Sequence, residues 1–319
     1  PQSFPKGRGS KIWKEAKERI MLQPLQLLQP TTIAEASATL GELGERAKFY
    51  AGGAELLLLL RNGLIDAEVL IDVKKIARLN RVELIDNSLR IGACVTHQAL
   101  ASNKPVRAHA PAFAYAESQV ANVRVRNQGT LGGNLAFNDP HSDPGTVLLI
   151  HDATVTIGNA SGERRVGIAE FFVDMYATAL EAGELLLEVE IARLPEGMRS
   201  SYLRLHRYQR PTLGVAAATR FINGAITDAR LAVGCIGPKA LRLTELEAKI
   251  NGTTMRDVRK IIAEQKNYLR NLLQPVDDLL GSADYKIYMA GVMLGDALET
   301  ASLASNRPSS FPLDGERLG

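Results

Sequence analysis

The chain has 319 residues, 45% hydrophobic and 23% charged, a globular composition with too much length for one ordinary core. Its net charge of +3, from 38 basic and 35 acidic residues, gives no reason to expect nucleic acid or an anionic membrane as the main partner. Two cysteines, Cys94 and Cys235, exclude a disulfide framework and any iron–sulfur cluster or four-thiolate zinc site built by this chain alone, so redox chemistry needs an organic cofactor or a partner's metal.

Residues 1–20 set Lys6, Arg8, Lys11, Lys14, Lys17 and Arg19 against Glu15 and Glu18, without the apolar centre of a secretory signal. The chain starts at Pro1 rather than a methionine. The segment 1–23 reads as a solvated arm or tag remnant, with an arm that grips a partner subunit as the alternative. Thr32-Ile-Ala-Glu35 has capping-box spacing and opens a helix to about Leu43, stopped by Gly44. Lys48 to Ala51 reads as a short buried strand that ends at Gly52-Gly53, ahead of a leucine-rich helix. The run Leu56 to Leu60 is five residues, where a spanning helix needs about 20.

Glu68 to Val73 is the next strand, and Arg81 to Ile85 with Ser88 to Ala93 reads as a hairpin around Asp86-Asn87. Thr96 begins a helix, and Pro111 to Val120 is helical in composition. Arg124 to Ala136 reads as a second strand running into a glycine turn. Val147 to Ile150, Thr154 to Ile157, Arg164 to Val166 and Glu184 to Ile191 read as strands, and Leu194 to Gly197 as a boundary. Beyond it, Tyr202 to Arg207, Val215 to Phe221 and Ala229 to Ile236 read as three strands, the last two joined at Asn223-Gly224. Helices are expected over Thr244 to Ile250, Thr254 to Leu273 and Ser282 to Ala304, and a loop-like tail from Asn306. Strands followed by helices make this an α+β chain.

The chemistry concentrates in two glycine-rich turns, Ala51-Gly-Gly-Ala-Glu55 and Thr130-Leu-Gly-Gly-Asn134. Glycine permits positive φ and close backbone approach, so successive N–H groups can converge on an anion. Two such nests would clamp a pyrophosphate from both sides. Neither fits the Gly-x-Gly-x-x-Gly fingerprint or a Walker loop. Asn134 to Pro144 follows, a polar stretch in which Asp139 and Asp143 are acceptors for hydroxyls. His141 with two aspartates is a poor metal set, and ordinary loop structure is preferred there. No nucleophile–base pair is evident, and His97 reads as part of a helix start.

Ala51-Gly-Gly-Ala-Glu-Leu56, together with Val125 to Ala136 and Asp139-Pro140, resembles the FAD-binding medium subunit of the molybdenum hydroxylases, the xanthine dehydrogenase and aerobic carbon monoxide dehydrogenase family. Leu70 to Val73, Ile91 to His97, Ala177 to Glu184, Gly237 to Arg242 and Tyr285 to Leu298 extend the likeness over about residues 24 to 302. The resemblance implies a two-part FAD-binding domain of the vanillyl-alcohol oxidase (PCMH-like) type, 24–80 and 81–196. A C-terminal domain of three antiparallel strands and a helical bundle would follow over 197–304, then a tail over 305–319. It implies that Ala51, Gly52, Gly53, Ala54, Glu55 and Leu56 form one wall of the FAD site and Thr130, Gly132, Gly133 and Asn134 the other. Asp139 and Asp143 would bind hydroxyls or polar edges of the cofactor, with Tyr202 and Arg204 beside the flavin.

The chain departs from the family at Ala54-Glu55, where Thr-Asp or a serine is common, at Phe137-Asn138 and His141, and at Arg204, where many members carry lysine. It also lacks the four-cysteine insertion of some members. The resemblance implies an electron-transfer subunit without acid–base catalytic residues. Its partners would be a small subunit with two-iron–two-sulfur clusters and a large subunit with the molybdenum cofactor, in a cytoplasmic dimer of heterotrimers. A stand-alone flavin oxidoreductase and a structural subunit that has lost FAD are the alternatives.

Overall fold

The computed structural model describes residues 24–205 and 210–303. The arm expected over 1–23, the tail over 305–319 and the end of the strand expected to reach Arg207 lie outside the described residues. β1 (Gln26–Leu28), the helix Ile33–Leu43, β2 (Ala47–Tyr50), the helix Leu56–Arg61 and β3 (Val69–Asp72) form the first unit. Both β1 and β2 pair in parallel with β3, and the two helices are the crossovers that parallel pairing requires. The first helix starts and stops where its caps dictate: Thr32 Oγ1 accepts from Glu35 N at 3.1 Å, and Gly44 takes φ 57°. The Glu35 carboxylate reaches back to Thr31 N at 2.9 Å, one residue beyond the reciprocal bond of a capping box.

β4 (Val82–Ile85) and β5 (Ser88–Gly92) form the expected hairpin, with Asp86 and Asn87 at φ 48° and 63° as a type I′ turn requires. Six helices follow, His97–Ser102, Lys104–His109, Pro111–Gln119, Val123–Gln128, Leu131–Phe137 and Asp143–Ile150. Then come β6 (Thr154–Asn159), β7 (Gly162–Gly167), the short pair β8 (Phe172–Asp174) and β9 (Ala177–Thr178), and β10 (Leu185–Ala192). An antiparallel sheet runs in the order β4-β5-β10-β6-β7.

Two sequence expectations are corrected in this unit. Arg124 to Ala136 is not strand and turn but two short helices on either side of Gly129. The β-branched Val123 and Val125 suggest extension, yet Asn122 caps the first helix by accepting from Arg124 N and Val125 N, and Thr130 caps the second. Val147 to Ile150, expected as a strand, belongs to the helix Asp143–Ile150. All eight of its residues are buried, so no polar face marks its period.

The C-terminal sheet, β11 (Arg199–Leu205), β12 (Leu213–Ile222), β13 (Ala225–Gly234) and β14 (Leu241–Arg242), has four antiparallel strands against the three expected. The added strand is two residues long and leaves no periodicity to read. The helix expected over Thr254 to Leu273 is two, Met255–Glu264 and Lys266–Leu273, broken at Gln265; Thr244–Ile250 and Ala283–Leu303 complete the bundle.

One apolar core fills the first two units, and a second lies between the C-terminal sheet and its helices. The helix Asp143–Ile150 joins them: Arg230 Nη1 donates to Ile150 O at 3.1 Å and Arg242 Nη1 to Leu149 O at 3.1 Å, while both guanidinium groups pair with Asp152. Among the described residues, no helix is long and apolar enough to cross a membrane.

His151 ends this helix in full burial, and burial pushes its pKa from the ordinary 6.5 down to about 4. Because the folded value lies below the unfolded one, the neutral ring contributes stability that is complete above pH 6.5 and is lost as pH falls through about 4. Unfolding free energy should drop by up to about 3 kcal/mol across that window. Urea titrations at several pH values should show a flatter profile for His151→Gln; an unchanged profile would assign the acid sensitivity elsewhere.

Candidate functional site

Both glycine-rich turns face one cavity of about 610 Å³, a volume in the range of cofactor sites. Ala51, Gly52, Gly53, Ala54, Glu55 and Leu56 line it from the first turn, Thr130, Gly132, Gly133 and Asn134 from the second, and Asp139 and Asp143 line it as well. The turns touch where Gly52 passes Gln128: a Cβ there would lie 2.0 Å from the Gln128 carbonyl oxygen. Gly132 is packed as tightly, its Cβ position 2.4 Å from Ala93 Cβ. Gly133 differs. A Cβ on it would meet only Thr130 Oγ1, at 2.9 Å, and otherwise open space.

The two turns are not equivalent donors. In the second, Leu131 N donates to Val95 O, Gly132 N to Ala93 O, Gly133 N to Thr130 Oγ1 and Asn134 N to Thr130 O, at 2.9–3.1 Å. These four N–H groups already have acceptors, so the expected matched pair of open nests is corrected to an asymmetric one. In the first turn Leu57 N donates to Gly53 O and Leu59 N to Glu55 O, so helical bonding begins at Gly53. The N–H groups of Ala54, Glu55 and Leu56 then precede the first rung, where a helix offers no acceptor, and Glu55 at the cap position makes no side-chain bond to them.

Tyr202 and Arg204, expected beside the cofactor, stand one layer behind the wall. Tyr202 is fully buried and its hydroxyl donates to Asp143 Oδ1 at 2.6 Å; Arg204 Nε lies 3.1 Å from the same oxygen. Burial pushes the Asp143 carboxyl above the usual carboxylate range, against the pull of Arg204 and Tyr202. At the other end of the cavity, burial and the neighbouring Asp139 raise Glu55, while Arg210 lowers it; Arg210 Nη2 pairs with Asp139 Oδ2 at 3.1 Å.

The sequence places His97 at a helix start rather than in the site, and it gives no site role to Glu117, Arg210 or Cys94. His97 does begin a helix, but its ring also lines the cavity and its Nδ1 lies 2.5 Å from Glu117 Oε2, both side chains buried. A glutamate inside the alanine- and aromatic-rich segment Pro111 to Val120 was the available signal, since an isolated acid on an apolar helix needs a buried partner. Cys94 lines the cavity as a protonated thiol, burial pushing its pKa up to about 12. Among the described residues, no group of three or more His, Cys, Asp or Glu side chains is placed to hold a metal. The His141 ring donates through Nδ1 to the Pro211 carbonyl at 3.0 Å.

Residues 23–194 match the family model for the FAD binding domain in molybdopterin dehydrogenase, and residues 202–301 match the CO dehydrogenase flavoprotein C-terminal domain. The chain belongs to this family of FAD-binding subunits. It is similar to the carbon monoxide dehydrogenase medium chain of Hydrogenophaga pseudoflava, with 31% identity over 85% of this chain and 95% of the relative. It is also similar to the xanthine dehydrogenase FAD-binding subunit of Escherichia coli O157:H7, at 27% identity over 86% and 94%. A solved structure of the H. pseudoflava carbon monoxide dehydrogenase, lacking the Mo-pyranopterin moiety of its molybdenum cofactor, superimposes with a TM-score of 0.83, covering 88% of this chain and 98% of that one. The family resemblance read from the paired glycine turns is borne out, and so is the fold it implied, with one strand more in the C-terminal sheet.

In this FAD subunit, Tyr202→Phe removes the hydroxyl that Asp143 accepts from in a buried site. Chemical denaturation of the purified chain should show a loss of about 1–3 kcal/mol. A loss near zero would mean that Arg204 alone satisfies Asp143.

Proposed function

We propose that the chain is the FAD-carrying electron-transfer subunit of a molybdenum hydroxylase complex in the cytoplasm. It would take electrons from the two-iron–two-sulfur clusters of a small subunit and pass them to an external acceptor. A large subunit with the molybdenum cofactor would oxidise the substrate, the whole forming a dimer of heterotrimers. Residues 24–80 and 81–196 would be the two parts of the flavin domain and 197–304 the C-terminal domain.

The observation that carries the reading is the cavity between the two turns, with Gly133 bare toward it. The donor set suits a dinucleotide cofactor. The N–H groups of Ala54, Glu55 and Leu56 would receive the pyrophosphate, and the Thr130 hydroxyl and the Asn134 side-chain amide would close on it from the second turn, where Gly133 leaves room for it. When bound, FAD supplies the electron-accepting and electron-donating chemistry. Asp139 and Asp143 would accept from cofactor hydroxyls or ring-edge N–H groups. Tyr202 and Arg204 hold Asp143 in place and balance its charge, which makes them positioning residues.

The purified chain should show a flavin absorption spectrum and copurify with the small and large subunits when the three are coexpressed. Gly133→Val should abolish the flavin spectrum while far-ultraviolet circular dichroism stays unchanged, at a cost near the Thr130 cap of about 1 kcal/mol. Full FAD occupancy in that variant would refute the assignment of this wall.

A further inference from the structure

We propose that Lys74 is a positioning residue that aims the first glycine turn at FAD, an inference that rests on the FAD reading above. Lys74 follows β3 and does not line the cavity. Its Nζ donates to the Ala51 carbonyl at 2.8 Å and pairs with Asp72 Oδ1 at 2.7 Å, and it sits 3.9 Å from the centre of the Tyr50 ring. These contacts tie the turn at Ala51 to β3 through Asp72 and to the end of β2 through the Tyr50 ring. Asp72 is buried and held by Gln29 Nε2 at 3.0 Å and Lys74 N at 3.1 Å, so the ammonium is anchored to a rigid carboxylate. Tyr50 carries the contact forward, because its ring edge lies 2.4 Å from where a Gly53 Cβ would stand.

The direction of the turn follows from peptide geometry. The chain has no cis peptide bond among the described residues, and in a trans peptide the C=O and the next N–H point in opposite directions. An Ala51 carbonyl held on Lys74 therefore turns the Gly52 N–H away from the lysine and fixes the peptide plane from which the turn runs on to the N–H groups of Ala54, Glu55 and Leu56. Glycine at 52 and 53 leaves this stretch free to take other conformations. Lys74 selects one of them. The lysine also brings a positive charge to the back of a turn whose front would meet a pyrophosphate, without touching the cofactor.

The test uses the full chain, stripped of flavin, with FAD and ADP as probes. Lys74→Met keeps the apolar stem over Tyr50 and removes the charge and the donor. Its Kd for FAD should rise about tenfold, as expected for one lost charge-assisted bond at the turn. ADP, which carries the pyrophosphate without the isoalloxazine, should weaken by a similar factor. The visible spectrum of the FAD-saturated variant should not move; the flavin-free Lys74→Met chain should melt lower because the buried Asp72 loses its cation, and Lys74→Arg should restore both the stability and most of the affinity. Wild-type affinity in Lys74→Met would overturn the positioning role. So would an equal loss in both variants accompanied by an equally lowered melting temperature, which marks a merely structural lysine. A wild-type chain that binds no FAD would instead overturn the reading beneath the proposal, and the proposal with it.

Discussion

A helix with no exposed residue must be enclosed on every side, and the helix Asp143–Ile150 imposes that requirement on the whole chain. Its flanks pack against the first core and against β12 and β13 of the C-terminal sheet, so neither unit can close without it. Its start delivers Asp143 to the cavity floor. Its end presents the carbonyls of Leu149 and Ile150, which Arg242 and Arg230 satisfy from the C-terminal sheet. Close approach is possible because Gly234 faces Thr146: a Cβ at that glycine would lie 2.1 Å from the threonine hydroxyl. A single buried element thus fixes both the seam between the domains and the position of the deepest carboxylate in the site.

Around that carboxylate, buried ionisable groups have partners. Asp143 has Arg204 and Tyr202 behind it, and His97 has Glu117. Pairing is what permits ionisable groups at this depth, since an uncompensated charge there would be costly. The upper walls follow a different rule. They consist largely of backbone and small side chains, and their shape is set by close contacts with neighbouring segments: Ala93 against Gly132, Gln128 against Gly52, Lys74 on Ala51. The walls present backbone shape and N–H direction, the floor paired ionisable groups.

What the sequence made legible were the features with a local signature. Caps placed the first helix, Asp86-Asn87 placed the hairpin, and the two Gly-Gly turns with the polar stretch after the second placed the cavity and twelve of its lining residues. The errors arose where tertiary burial erased the local pattern. Val147 to Ile150 is apolar all round in a fully enclosed helix, and β-branched residues at 123 and 125 were overruled by Asn122. Strands of two or three residues, such as β9, β14 and β1, are too short to carry a period. The layer behind the wall was illegible for another reason. Whether Tyr202 touches a ligand or supports a residue that does depends on where β11 runs relative to Asp143, a long-range relation that no window of sequence contains.

The contrast among the glycines bears on how related chains are to be interpreted. Gly52 and Gly132 are demanded by backbone packed against backbone, so they would persist in a descendant that had given up its cofactor. Gly133 answers to nothing in the protein except a threonine hydroxyl. In an alignment, then, the first two report that the scaffold is intact, whereas the protein itself holds the third only through the Thr130 cap. A relative that changed only this last glycine would keep the architecture and lose the bare stretch of wall between the turns.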